Sequence, residues 1–136
     1  MTKVRFDLAL RLVSEANAHE HYRVRSTRAQ GQRETAQRVA RQSFHAQGQS
    51  IEYPLRVTIC RVSPRDLDSD NLQGSAKHVR DGIADFFEVK DNDPRVDWRV
   101  IQRRGDPKQY AVEVVIETWH RCRIVCPCCH KQVTHD

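Results

Sequence analysis

The chain has 136 residues, 38% of them hydrophobic and 30% charged, with a net charge of +5. That length suits one domain with a modest core, and no apolar run approaches the ~20 residues that a helical membrane span needs. The charge is uneven: residues 1–50 hold nine Lys/Arg against four Asp/Glu, residues 51–136 hold fourteen of each, and the whole excess therefore lies in the first third.

Val4, Phe6, Leu8, Leu10 and Leu12 alternate with mostly polar neighbours, which predicts a half-buried strand. The same alternation from Met1 to Asp7 is unlike a signal-peptide core, so a cytoplasmic protein with its five cysteines reduced is expected. Residues 14–25 read as a polar loop. Ser26 or Thr27 is the expected cap of a helix that runs to about Gln47 and ends at Gly48. Its apolar side is thin (Ala29, Ala36, Val39, Ala40, Phe44), and its polar side carries Arg28, Arg33, Arg38 and Arg41. With Arg23 and Arg25, these arginines are candidate contacts to nucleic-acid phosphates, which give affinity and orientation without reading bases. Tyr22 or His21 is either a stacking partner for an unpaired base or a packing residue.

Leu55, Val57 and Ile59 alternate after Pro54 as a second strand. Leu72, Ala76, Val79, Ile83 and Phe86 then recur in steps of four and three, predicting an amphipathic helix over about 70–87 with Asp68, Ser69 or Asp70 as its cap. Val96, Trp98 and Val100 form a third strand, with Trp98 in the core. Gly105-Asp106-Pro107 is a turn, and Tyr110, Val112, Val114 and Ile116 form a fourth strand. The order β-α-β-α-β-β predicts a single α+β domain, a mixed four-stranded sheet with two helices, whose last two strands make an antiparallel hairpin.

The run Asp68-Ser69-Asp70-Asn71-Leu72, with Lys77 and Asp81 following, is answered by Asp91-Asn92-Asp93. Mg²⁺ takes hard oxygen ligands, usually one or two carboxylates plus waters and substrate phosphates. On a single helix, Lys77 and Asp81 would each fall within roughly 20° of Asp70, nearly opposite the apolar face. The alternative is a solvated face with an i,i+4 Lys77–Asp81 pair, worth only tenths of a kcal/mol. Acids gathered in a basic protein point to a phosphate-bearing substrate held through metal, and so to a nuclease. For Asp91 and Asp93 to meet Asp70, the third strand must run back beside the second, a second subunit must help, or the helix must bend near Gly82.

At these residues the chain resembles the RusA family of Holliday junction resolvases. The resemblance rests on Asp68-Ser69-Asp70-Asn71-Leu72, Lys77 with Asp81, Val89-Lys90-Asp91-Asn92-Asp93-Pro94-Arg95, and the segment from Asn17 to Arg23 that contains His21-Tyr22-Arg23; it covers about residues 4–118. It implies a RusA-like endonuclease domain over 1–118 that acts on branched DNA as a homodimer, nicking opposite strands of a four-way junction in recombination or repair. It also implies that Asp68, Asp70 and Asp91 hold Mg²⁺ (or Mn²⁺), with Lys77 beside them as a catalytic residue. Asp93 is then a fourth ligand or a loop cap, and Asp81 orients Lys77 or a metal-bound water. Two positions depart from the family's pattern: Gly74 stands where the lysine is often found, and Lys90 replaces the first of two adjacent acids. The second departure leaves a catalytically inactive DNA-binding protein on the same scaffold as the alternative.

The tail, 119–136, is rich in Cys and His. Cys126-x-x-Cys129 is half of a zinc site, which Cys122 and either His130 or His135 would complete as a structural Zn²⁺ centre; reduced thiols without metal are the alternative.

Overall fold

The computed structural model describes residues 1–14 and 21–119. The elements in chain order are β1 (Lys3–Leu8), α1 (Tyr22–Ala46), β2 (Leu55–Ser63), α2 (Ser69–Ser75), α3 (Lys77–Phe87), β3 (Val96–Arg104) and β4 (Ala111–Thr118). The architecture is α+β, with one mixed four-stranded sheet in the order β1-β4-β2-β3. β2 and β3 are parallel, while β4 runs antiparallel to both β1 and β2.

One face of the sheet is apolar and carries the core. The pairing places Val4, Ile116, Val57 and Trp98 in one row, and Phe6, Val114, Ile59 and Val100 in the next. Period-two alternation delivers these side chains to a single face. Ala36, Ala40 and Phe44 of α1 and Val79, Ile83 and Phe87 of α3 join the same core. The two helices approach closely because Gly82 of α3 lies on Ala36 and the Arg33 carbonyl of α1. Phe44, Phe86, Phe87 and Tyr53 form an aromatic cluster at one end of this layer, and the Tyr53 hydroxyl donates to the Phe87 carbonyl oxygen at 3.4 Å.

The structure corrects several expectations. β3 and β4 do not form a hairpin: β4 crosses past β2 and inserts between β1 and β2. The reason is burial. Val112, Val114 and Ile116 are fully enclosed, whereas β3, with Asp97, Arg99, Arg103 and Arg104, suits a partly solvated edge. The expected helix over 70–87 is two helices, so the described residues hold three. Ser75, wholly buried, donates its hydroxyl to the Leu72 carbonyl oxygen at 2.7 Å, and Ala76 N–H turns back to Gln73. Such serine back-bonding competes with the regular ladder, and Gly74 adds a weak helix former beside it. Phe87, rather than Phe86, is the buried residue at the end of α3.

α1 starts at Tyr22, before the expected Ser26 or Thr27 cap. The His21 carbonyl oxygen accepts from Val24 and Arg25 N–H, and His21 Nδ1 accepts from Arg23 N–H at 3.2 Å, so a histidine does the capping. The helix does end where Gly48 predicts, with that glycine at φ +62°.

Candidate functional site

Two loops carry the predicted carboxylates, and the parallel pairing of β2 with β3 puts them at opposite ends of the sheet. Leu55 pairs with Val96 and Ser63 with Arg104. The loop before β3, with Asp91 and Asp93, is therefore at the Leu55 end, while the segment after β2, with Asp68 and Asp70, is at the Ser63 end. Two contacts fix these positions. Gln102 exchanges bonds with the Leu67 backbone at 2.8 and 2.9 Å, and Tyr53 reaches Phe87 at the far end of α3. The length of β2 alone separates the two ends by roughly 26 Å. The bend expected at Gly82 does not close this distance, because the break is at Ala76 and Gly82 sits within regular helix. Asp68, Asp70 and Asp91 thus do not meet in one subunit. Among the described residues no group of three His, Cys, Asp or Glu side chains gathers as a metal cluster.

At the Ser63 end, Asp68 caps α2. Its Oδ1 accepts from Asn71 N–H at 2.9 Å and its Oδ2 from Asn71 Nδ2 at 3.0 Å. Asp70 is exposed and has no hydrogen bond or ion pair among the described residues. Lys77 is exposed at the start of α3 and equally without a partner there. Asp68 and Asp70 fit the chemistry of a hard divalent ion: both are carboxylates, open to water, with acceptor capacity left over.

Sequence reasoning missed what adjoins them. A cleft of about 470 Å³ opens beside Asp68, walled by Arg11, Ser14, Arg61, Ser63, Arg65 and Tyr110. Ser14 donates its hydroxyl to Asn71 Oδ1 at 2.8 Å, so one asparagine ties the cleft wall to Asp68. Arg61 is 6% exposed and occupies the apolar face of the sheet, in the row Leu8–Val112–Arg61–Gln102. Burial holds its pKa below the ordinary guanidinium value, with nearby Asp66 opposing that shift and Arg11 adding to it. The signal was present: after Leu55, Val57 and Ile59, position 61 is the next inward site of the strand, and it is an arginine.

At the Leu55 end, Asp81 and Asp91 line a second cleft of about 420 Å³ with Arg33, Asp85 and Lys90. Arg33 grips Asp85 with two bonds, at 2.6 and 2.9 Å, and those bonds hold the Asp85 carboxyl below its usual range. Arg33 is therefore committed within the fold, unlike Arg38 and Arg41, exposed on the outer side of α1, and Arg25, exposed near its start. Arg23 is exposed and lies 6.0 Å from the Tyr22 ring, and Arg28 is half-buried near the helix start. Arg80 spans the Trp98 ring at 5.1 Å and donates to the Asp91 carbonyl oxygen at 2.9 Å, which orders the loop. Asp93 accepts from Arg95 through both side chain and backbone, and these bonds bring its pKa to about 2. Its contacts are those of a loop cap.

Trp119 remains attached to the sheet through its N–H to Pro54. The zinc candidates Cys122, Cys126, Cys129, His130 and His135 lie outside the described residues, as do Asn17 to Glu20 of the N-terminal segment. No helix among the described residues is long and apolar enough to cross a membrane. No family model matches the chain, and no curated protein matches it.

Proposed function

We propose that this chain is a Mg²⁺- or Mn²⁺-dependent endodeoxyribonuclease that cuts four-way DNA junctions in the cytoplasm, acting in recombination or repair. The observation that carries the reading is Asp68, open to solvent and joined through Asn71 and Ser14 to a cleft lined by arginines, with exposed Asp70 two residues on. Carboxylates for a cation and guanidinium groups for a phosphate stand side by side, which is what a phosphodiester held through metal requires. The ion's contribution is to acidify a bound water and to neutralise the in-line oxygens. Asp68 and Asp70 hold it, and Asn71 keeps the Asp68 carboxylate oriented. Lys77, exposed at the start of α3, offsets charge on the phosphoryl oxygens. The exposed arginines of α1 bind the flanking backbone.

The reading requires a homodimer. Asp91 is too far from Asp68 of its own chain, so it would help to hold the ion only from the opposite subunit, with Asp81 behind it. The separation of the two acidic ends within one chain favours one other reading, a DNA-binding protein that does not cut. Incubation of a labelled four-way junction with Mg²⁺ distinguishes them. Paired nicks that vanish in Asp70→Asn, with junction binding kept, support the nuclease. Binding without nicks in Mg²⁺ or Mn²⁺ supports the non-cutting alternative.

A further inference from the structure

We infer that the cleft between Arg11, Arg61 and Arg65 is a phosphodiester-binding subsite for the nucleic-acid strand that passes Asp68. For the identity of its ligand the inference rests on the nucleic-acid reading above. Three arginines line it with Ser14, Ser63 and Tyr110, and no carboxylate lines the cleft among the described residues.

Arg61 is the centre of the argument. It is all but buried, on the apolar face of the sheet, where a cation is costly unless paired. Its Nε donates to the Leu12 carbonyl oxygen at 3.0 Å and Nη1 to that of Arg65 at 2.7 Å. A guanidinium has five N–H donors, so three remain after these two bonds. Among the described residues no carboxylate pairs with Arg61, and the nearest acid in charge terms, Asp66, is taken by Arg104 at 3.3 Å. The two carbonyl bonds fix the plane of the guanidinium, and a fixed guanidinium plane suits bidentate recognition of phosphate oxygens. Arg11, resting 4.2 Å over the Tyr110 ring, is held at the rim as a second cation. Arg65 is exposed at the mouth. An anion seated here neutralises a charge that no carboxylate among the described residues compensates.

The test is metal-free, so it does not depend on cleavage. Amide resonances of the full chain in EDTA are followed during titration with inorganic phosphate, then with a short single-stranded oligonucleotide. The expected result is that both ligands perturb Ser14, Arg61, Ser63 and Arg65, that each displaces the other, and that Arg11→Ala and Arg65→Ala each weaken both by about tenfold, the value of one charge-assisted hydrogen bond. These two positions are on the rim, so both variants fold; Arg61→Gln serves as a third only if its spectrum remains native. Phosphate binding without oligonucleotide competition overturns the inference, since the site would then take free phosphate alone. Perturbation elsewhere, or rim variants that bind as the parent does, overturns it too. Absence of junction cleavage by the parent chain in Mg²⁺ or Mn²⁺, with this binding intact, removes the nuclease reading and leaves the subsite standing.

Discussion

Asn71 holds Asp68 by two bonds, its backbone N–H to Oδ1 at 2.9 Å and its side-chain amide to Oδ2 at 3.0 Å. Asp68 therefore has two separable duties, capping a helix and offering charge. Asparagine is as good an N-cap as aspartate, whereas alanine costs about 1 kcal/mol. We expect Asp68→Asn, which keeps the cap to Asn71 N–H but cannot accept from Asn71 Nδ2 as well, to unfold only slightly below the parent's temperature and to lose Mg²⁺-dependent cleavage. Asp68→Ala is expected to lose both cleavage and about 1 kcal/mol of stability. Thermal melts read beside junction cleavage separate the duties; full cleavage by Asp68→Asn would remove the residue from the proposed metal site.

Gly82 and Gly74 are expected to respond oppositely to alanine. A Cβ at Gly82 would strike the Arg33 carbonyl and crowd Ala36, while one at Gly74 meets nothing within 4 Å. Helix propensity favours alanine by about 1 kcal/mol at either site. At Gly82 the backbone carbonyl cannot give way without separating α1 from α3, and overpacking costs of about 1–3 kcal/mol exceed that gain. Urea denaturation at constant m-value is the measurement: the midpoint falls for Gly82→Ala and rises for Gly74→Ala.

The Asp93–Arg95 contact makes a signed prediction about acid. Its bonds lower Asp93 from the usual 3.8 to about 2 in the folded chain. A carboxyl with a depressed folded pKa lends stability that is fully present above the unfolded value and is lost as the pH falls through the folded one. Asp93→Asn should therefore be less stable than the parent at neutral pH, with the difference shrinking between pH 3.8 and about 2 and gone below that. Chemical denaturation at stepped pH measures it. A difference that stays constant down the series would remove Asp93 as the cause.

Arg33 and Arg41 differ in what they are free to do. Arg33 is bonded to Asp85, with the two side chains 51% and 33% exposed, so the pair contributes about 0.5–1 kcal/mol after solvent screening. Arg41 is exposed on the outer side of α1. If α1 lies along a DNA backbone, Arg41→Ala reduces the slope of log affinity against log salt by about 1. Arg33→Ala is expected to lower stability and leave that slope nearly unchanged. Equal slope changes for the two would show that Arg33 leaves Asp85 to bind phosphate.

What the sequence made legible was what depends on local period. β1 and β4 each bury alternate residues on one face, and the alternation of Val4, Phe6 and Leu8, and of Val112, Val114 and Ile116, records that directly. What was not legible depends on partners distant in sequence. The short link from β3 to β4 favoured a hairpin, yet the more apolar β4 took the centre of the sheet and left charged β3 at the edge. The break at Ala76 follows from a buried Ser75 hydroxyl, and burial at that position is set by the sheet beneath. The same holds for the site. Residue types and spacing picked out Asp68, Asp70 and Asp91, but the parallel pairing of β2 and β3 decides that the last lies at the opposite end. Arg61 is legible as an inward-facing arginine, but the cleft around it is not, because Arg11, Ser14 and Tyr110 reach it from segments distant in sequence.

That separation of Asp70 from Asp91 gives the sharpest prediction. If each ion is shared between subunits, one site uses Asp70 of the first chain with Asp91 of the second, and the other site uses the reverse pair. Homodimers of Asp70→Asn and of Asp91→Asn are then each inactive. A mixed dimer of the two variants has one site with both defects and one with neither, so it regains a single functional centre. The expected outcome of co-expressing differently tagged variants and purifying the mixed species is nicking of one junction strand without the paired opposite nick. A site built within one chain leaves every centre of the mixed dimer damaged, and no nick returns. Both acids lie in exposed segments, Asp70 near the start of α2 and Asp91 in the loop before β3, so neither substitution disturbs the core. Failure of the mixed dimer to nick, with the parent dimer active, would exclude the shared arrangement.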